Sequence, residues 1–188
     1  EDVDILIAEI ASILYKSNIK EMIAVTGTNG KTSVASYTKQ IWESRNIKCA
    51  SVGTLGFQYN KYFHESFLTT PLPEILHKKL LLFSKERCKH VIIEASSIGI
   101  HKKRLHPIKF QKICFTNFSR DHLDYHKNFK DYFKAKQYLF ENLIRKKGNV
   151  ITDETLPEFK RIKKIAISRK LKLQVLNNSK NQFQILSH

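Results

Sequence analysis

The chain has 188 residues, a hydrophobic share of 41% and a formal net charge of +16 at pH 7. This length suits one domain, or one domain with part of another, and no apolar run approaches the ~20 residues of a membrane helix. The N-terminus has no basic start followed by an apolar stretch, so we see no secretory signal and expect a cytoplasmic protein without a membrane partner. The three cysteines are scattered and lack CxxC spacing, which indicates reduced thiols.

The basic charge alone would also suit a nucleic-acid-binding protein, because clustered cations displace counterions from phosphate backbones. Most of the 33 basic residues here are lysines, however, and they are spread through the chain. A solvated lysine-rich surface explains this distribution better, so we expect no nucleic-acid partner.

Strand-like and helix-like segments alternate along the chain. Residues 4–15 are predicted to form a helix or the tail of a preceding domain; we assign 1–20 to such a tail or linker and 21–188 to the main domain, incomplete at its C-terminal end. Strands are predicted at 22–26, 49–57, 90–95, 112–116, 149–152, 165–168 and 173–176. Helices are predicted at 31–45, 73–88, 129–144 and 156–164. This alternation predicts a doubly wound α/β fold around a mostly parallel sheet, which binds ligands at the carboxyl ends of its strands.

A glycine-containing loop joins the first strand to the first helix of this domain. Glycines in the loop let backbone N–H groups curve around phosphates, and the following helix adds its dipole. Lys31 is placed to reach the β- and γ-phosphates, and the Thr32 hydroxyl to ligate Mg²⁺. Val25 stands where the usual P-loop has its first glycine, so the loop is a shortened variant. It predicts ATP and Mg²⁺ as ligands, with an ATP-binding set of Gly27, Thr28, Asn29, Gly30, Lys31, Thr32 and Ser33.

The strand predicted at 90–95 is apolar and contains an acid near its end. Because this strand and the loop end at the same edge of the sheet, the carboxylate of Glu94 is expected to meet the Mg²⁺ held by Thr32.

Four stretches together resemble the Mur ligase family: 27–33, 69–71, 94–97 and 115–126. The last stretch, with 135–136 and 139–140 downstream, is most similar to the MurE branch, the UDP-N-acetylmuramoyl-dipeptide ligases. The resemblance extends from about residue 23 to residue 153. It implies that the chain is the ATP-binding central domain of an ADP-forming amide ligase.

The resemblance also implies a reaction in peptidoglycan synthesis. ATP phosphorylates the terminal carboxylate of UDP-N-acetylmuramoyl-L-Ala-D-Glu, and the amine of a diamino acid, meso-diaminopimelate, attacks the acyl phosphate. Those two substrates are the expected partners of a monomeric enzyme, and the isolated chain is expected to be inactive. Three alternatives stay open: another ligase of this superfamily such as a folylpolyglutamate synthetase, a basic nucleic-acid-binding P-loop module, and a non-catalytic nucleotide-binding fragment.

Roles carried over from the family fall on two groups of residues. Near the nucleotide and its metals the resemblance implies Asn117, a first Mg²⁺ site of Thr32 and Glu94, and a second that includes His122 and Lys136. For the UDP-sugar peptide it implies contacts from Thr69, Thr70, Ser96 and Arg104. The sequence departs from the family pattern on that substrate side, with Leu68 for Asn, Ile98 for His and Lys102 for Gln. Taken singly, Ser96 would only cap a turn, and residues 69–70 would only start a helix.

Lys136 is the third catalytic candidate beside Lys31 and His122. It falls on one face of the predicted helix 129–144, on a stripe shared with Phe129, Phe133, Phe140 and Leu143. One interpretation is a lysine whose stem packs while its amine reaches water. The other is a buried amine, which favours the neutral form that reacts with CO₂. The resemblance implies the second, since the family carries a carbamylated, metal-binding lysine at this position.

Overall fold

The computed structural model describes residues 2–121 and 124–176. Within them the strands are β1 Glu21–Thr26, β2 Cys49–Gly53, β3 Gly56–Tyr59, β4 Tyr62–His64, β5 His90–Glu94, β6 Phe110–Phe115, β7 Ile144–Asp153 and β8 Lys172–Leu176. The helices are α1 Val3–Leu14, α2 Lys31–Ser44, α3 Pro73–Lys85, α4 Ser97–His101, α5 Phe129–Asn142 and α6 Phe159–Ser168.

The eight strands form one sheet in the order β4-β3-β2-β5-β1-β6-β7-β8. Strands β2, β5, β1, β6, β7 and β8 pair in parallel, whereas β2 with β3 and β3 with β4 pair antiparallel at one edge. Successive residues of β1 face opposite sides, so Ala24 enters the large hydrophobic core, while Ile23 and Val25 pack in a smaller one that includes Ala35 of α2. Both faces of the sheet are therefore covered, which confirms the predicted doubly wound α/β class.

Two predicted strands are wrong. Residues 49–57 form a hairpin, because the chain turns at 54–55 and Gly56 takes a left-handed φ of 79° before β3 returns alongside β2. Residues 165–168 continue α6, whose buried residues Ile162, Ile165 and Ala166 follow helical spacing. The sequence prediction also missed β4 and α4, and β7 begins at Ile144, five residues before the predicted start at 149.

Helix α1 packs against α3, and two small residues on that face, Ala8 and Ala11, are buried. The side of α1 that faces solvent is also apolar. This outer stripe comprises the exposed side chains Val3, Leu6, Ile7, Ile10, Ile13 and Leu14. The assignment of residues 1–20 to a preceding domain or linker stays a prediction. None of the helices in the described part of the chain combines the length and apolar character needed to cross a lipid bilayer.

Candidate functional site

The three central strands bring the sequence motifs to one edge of the sheet. Strand β1 lies between β5 and β6, and all three run parallel, so the segments that follow them emerge side by side. The loop 27–30 after β1 therefore meets residues 94–97 after β5 and 116–119 after β6. This is the edge at which open α/β sheets bind ligands.

The two glycines of the phosphate loop are required by its geometry. Gly27 has a φ of 147°, and a Cβ there would lie 1.9 Å from the Thr116 Oγ1. Gly30 has a φ of 79° and is the N-cap of α2, without a side-chain hydrogen bond to the cap. The loop thus presents backbone N–H groups at the positive end of a 14-residue helix, an arrangement that suits phosphate.

Lys31 folds over the loop that it follows. Its Nζ donates to the carbonyl oxygens of Gly27 at 3.1 Å and Thr28 at 2.6 Å. Burial lowers the pKa of Lys31, while the carboxylates of Glu94 and Asp121 act in the opposite direction. The Lys31 Nζ is therefore held at the loop, and its contact with phosphate stays a prediction.

Thr32 and Glu94, which the sequence predicts to be metal ligands, lie in direct contact. The Thr32 Oγ1 donates to the Glu94 Oε2 at 2.9 Å, and Glu94 is only 1% exposed. Thr54, in the turn after β2, also binds this carboxylate, through its N–H to Oε1 at 3.0 Å and its Oγ1 to Oε2 at 3.3 Å. A hydroxyl beside a carboxylate is a donor set that fits Mg²⁺, which takes oxygen ligands and keeps several waters.

Thr54 was missed by sequence reasoning. Its only signal is a polar residue just beyond the end of a buried strand, and the prediction had placed residue 54 inside a continuous strand. The described residues contain no group of three or more His, Cys, Asp or Glu side chains that would form a metal site by themselves.

Asn117 and Thr116 support the loop from the neighbouring strand. The Asn117 Oδ1 accepts from the Asn29 N–H at 2.8 Å, and its Nδ2 donates to the Asn29 carbonyl at 3.2 Å. The Thr116 Oγ1 donates to the same carbonyl at 2.6 Å. Asn117 thus holds residue 29 of the loop, and its direct contact with nucleotide stays a prediction.

The four residues expected to bind the UDP-sugar peptide form a connected polar network. The Thr70 Oγ1 lies 3.0 Å from the Ser96 Oγ and donates to the Glu94 carbonyl at 2.8 Å. Arg104 Nη1 donates to the Thr70 carbonyl at 3.0 Å, and Thr69 Oγ1 lies 3.2 Å from the hydroxyl of Thr54. This network links the substrate-side residues to the carboxylate that would hold the metal.

Of the structural roles considered from sequence for these residues, only the capping role of Ser96 is found. Ser96 is the N-cap of α4, and its Oγ accepts from the Gly99 N–H at 3.1 Å, so the capping interpretation is confirmed for it. Helix α3 starts at Pro73 with Leu72 as its N-cap, so residues 69–70 do not start that helix. Their substrate contacts stay a prediction.

A cavity of about 410 Å³ joins the phosphate loop to this network. We call it the loop cavity; it is lined by residues 28–33, Thr54, Phe67, Leu68, Thr69, Glu94, Ser96, Ile98 and Arg104. Two of the three departures from the family pattern, Leu68 and Ile98, therefore face the site. Lys102 instead lines a separate cavity of about 480 Å³ beside α1, which also reaches Arg104.

Lys136 is buried behind the loop. It is 1% exposed, and its Nζ donates to the Gly27 carbonyl at 2.9 Å and lies 4.7 Å from the centre of the Tyr132 ring. Burial, reinforced by the nearby Lys31 and opposed by Asp121, lowers the pKa of Lys136 to about 7. The interpretation in which the amine reaches water is therefore wrong. His122, its expected partner at a second metal, lies outside the described residues.

The chain is similar to known proteins over most of its length. The family model of the Mur ligase middle domain matches residues 25–187. A UDP-N-acetylmuramoyl-L-alanyl-D-glutamate–2,6-diaminopimelate ligase of Chelativorans sp. (strain BNC1) is 39% identical over 160 residues, which cover 85% of this chain and 33% of that protein. The chain thus spans about a third of the length of this curated relative.

Solved structures show the same fold. A UDP-N-acetylmuramoyl-L-alanyl-D-glutamate–2,6-diaminopimelate ligase superposes with a TM-score of 0.83 at 25% identity, covering 96% of this chain and 37% of the other. An FPGS–AMPPCP complex superposes with a TM-score of 0.72 at 14% identity, covering 95% of this chain and 50% of the other, which shows similarity of fold alone.

Proposed function

This chain belongs to the Mur ligase family, to whose middle domain it corresponds, and we propose that it is the ATP-binding part of an enzyme that adds a diamino acid to UDP-N-acetylmuramoyl-L-Ala-D-Glu. The diamino acid is meso-diaminopimelate, and the product serves peptidoglycan synthesis. The proposal follows the names of the relatives that match most of this chain.

One observation carries the proposal: the loop cavity brings the phosphate loop and a polar network with an arginine into a single space of about 410 Å³. Lys31, Thr32 and Glu94 of the predicted nucleotide site line the same cavity as Arg104 and Ser96, which are predicted to contact the acyl substrate. A ligase that joins a carboxylate to an amine through ATP needs these two functions side by side, because the terminal phosphate and the carboxylate repel each other.

The chemistry proceeds in two steps. A carboxylate oxygen of the acyl substrate attacks the terminal phosphorus of ATP, the bond from that phosphorus to the bridging oxygen breaks, and ADP leaves. The amine nitrogen then attacks the acyl phosphate carbon; phosphate leaves with the bonding electrons, and the nitrogen loses a proton. In this site the loop N–H groups and Lys31 would hold the phosphates, and Arg104 would orient the anionic acyl substrate.

Thr32 and Glu94 would hold Mg²⁺, which when bound neutralises charge on the transferring phosphoryl group. We further propose that the buried amine of Lys136 reacts with CO₂, losing a proton to give a carbamate. That group would join His122 as an oxygen ligand of a second divalent cation. Its support is the burial of the Lys136 amine directly behind the loop, at 2.9 Å from the Gly27 carbonyl.

The main alternative is a ligase of the folylpolyglutamate synthase type, which has a similar fold. The substrate that supplies the carboxylate distinguishes the two, because one adds an amino acid to a UDP-sugar peptide and the other to a folate. Leu68 and Ile98 line the loop cavity and are apolar where the family pattern has Asn and His. A test with both substrates is therefore needed to distinguish the two functions.

A domain exchange tests the proposal. The corresponding third of the 39% identical relative is replaced by this chain, and formation of ADP and of the UDP-sugar tripeptide is measured with diaminopimelate. The same exchange carrying Lys31→Ala is the matched control, and folate with glutamate is the competing substrate pair. Ligation of the UDP-sugar dipeptide that depends on Lys31 supports the proposal. A folded, ATP-binding chimera that extends only folate, or neither substrate, contradicts it.

A further inference from the structure

Helix α5 contacts the phosphate loop through two side chains that lie four residues apart. The Tyr132 hydroxyl lies 3.1 Å from the Thr28 Oγ1, and Lys136 donates to the neighbouring Gly27 carbonyl at 2.9 Å. Residues i and i+4 of a helix share one face, so both side chains reach the same loop. Sequence analysis singled out Lys136 but assigned no role to Tyr132.

The other hydrogen bonds of Thr28 indicate that Tyr132 is the donor in the bond between the two hydroxyls. The Thr28 Oγ1 donates to the Ser119 carbonyl at 3.2 Å and accepts from the Ser119 N–H at 3.0 Å. A threonine hydroxyl has one proton and two lone pairs, so the second lone pair is available to the Tyr132 hydroxyl. The three bonds together fix the position of Thr28.

The ring of Tyr132 is held independently of its hydroxyl. The side chain is fully buried, and its ring stacks on Phe118 with centroids 4.8 Å apart and an interplanar angle of 25°. The Lys136 Nζ also lies over this ring, 4.7 Å from its centroid. Removing the hydroxyl alone therefore leaves the ring packing in place and releases the bond to the loop.

We propose that Tyr132 is a positioning residue of the nucleotide site, whose hydroxyl holds Thr28 and thereby the loop N–H groups in their phosphate-binding arrangement. This inference rests on the proposed function, because it assumes that the loop binds ATP. A loop that is already ordered binds phosphates more tightly, since less conformational freedom is lost on binding. Tyr132 would act through the loop, without touching the nucleotide.

The test is Tyr132→Phe, with Tyr138→Phe as the matched control on the same helix. Tyr138 lines a different cavity, beside His101 and Lys103. Two quantities are measured: amide hydrogen exchange of residues 27–30 without nucleotide, and ATP–Mg²⁺ affinity by calorimetry. We expect Tyr132→Phe to speed loop exchange about tenfold and to weaken ATP binding about tenfold, equivalent to ~1.4 kcal/mol. Tyr138→Phe should leave both unchanged.

A double-mutant cycle separates positioning from general loss of stability. If the hydroxyl acts through Thr28, Tyr132→Phe should cause no further loss of affinity or loop protection once Thr28→Val is present. Additive losses, or loop exchange in Tyr132→Phe equal to that of the unmodified chain, would overturn the proposal. Absence of ATP binding by the unmodified chain would count against the proposed function, and the exchange comparison would still decide the role of Tyr132, because it uses no nucleotide.

Discussion

The buried lysine behind the phosphate loop should make the stability of the fold depend on pH. The pKa of Lys136 falls from 10.5 to about 7 on folding, because burial disfavours the charged amine. Between these values the unfolded chain binds more protons than the folded chain, so the free energy of unfolding rises with pH. The full span of about 3.5 pH units corresponds to about 5 kcal/mol at ~1.36 kcal/mol per unit.

Lys136→Met removes this titration while keeping an apolar stem of similar length. The Gly27 carbonyl still accepts from Lys31 at 3.1 Å, so it is not left without a donor. Between pH 7 and pH 9 the unmodified chain should gain about 2 kcal/mol of unfolding free energy relative to the variant. The gain is smaller than two full pH units would give, because about half of the folded molecules still carry the proton at pH 7.

Urea denaturation at both pH values, in CO₂-free buffer so that the amine stays unmodified, measures the effect. Lys134→Met is the matched control, because Lys134 is exposed on the same helix. That variant should keep the pH dependence of the unmodified chain. Parallel pH profiles of the unmodified chain and Lys136→Met would refute the reasoning, since they would mean that the buried amine does not change its protonation on folding.

Three further predictions concern the loop cavity and the isolated chain. Lys31→Ala should weaken ATP–Mg²⁺ binding by roughly 10- to 100-fold in calorimetry, because it removes charge-assisted hydrogen bonds to phosphate. The circular dichroism spectrum should stay unchanged, and equal affinities would contradict the P-loop assignment. Gly53→Ala would place a Cβ 2.0 Å from the Glu94 Oε1. It should therefore lower the free energy of unfolding by ~1–3 kcal/mol and reduce the Mg²⁺ dependence of ATP binding. Unchanged urea and Mg²⁺ titrations would contradict this. The 188-residue chain alone should bind nucleotide weakly and release no phosphate when given the full substrate set, and sustained turnover would show that our assignment of domains is wrong.

The sequence predicted the elements whose residues alternate or repeat regularly. Strands β1 and β5 contain apolar runs, β6 alternates over part of its length, and all three lead into polar motifs. Helices α2, α3 and α5 each bury residues at helical spacing. The prediction failed where the pattern is short or ambiguous. Residues 165–168 form an apolar run that suits a strand equally well, and only their packing with Ile162 on one face of α6 decides for a helix.

In the candidate site, the sequence predicted the proximity of residues whose motif is characteristic of a single function. The loop, Thr32 and Glu94 meet as expected, because their strands are neighbours in the sheet. Contacts that depend on side-chain direction were not predictable. Thr54 reaches Glu94 only because the chain turns after β2, and Tyr132 reaches Thr28 across more than a hundred residues of sequence. Neither pairing leaves a local pattern in the sequence.

The outer stripe of α1 has a consequence for the behaviour of this chain in solution. Six apolar side chains on one helix, each between 44% and 75% exposed, attract one another between molecules. The net charge of +16 opposes that attraction, because like-charged molecules repel over distances of about the Debye length. Added salt shortens this length from ~10 Å at 0.1 M to ~3 Å at 1 M and leaves the apolar contact intact. The colloidal stability of the chain should therefore fall as ionic strength rises.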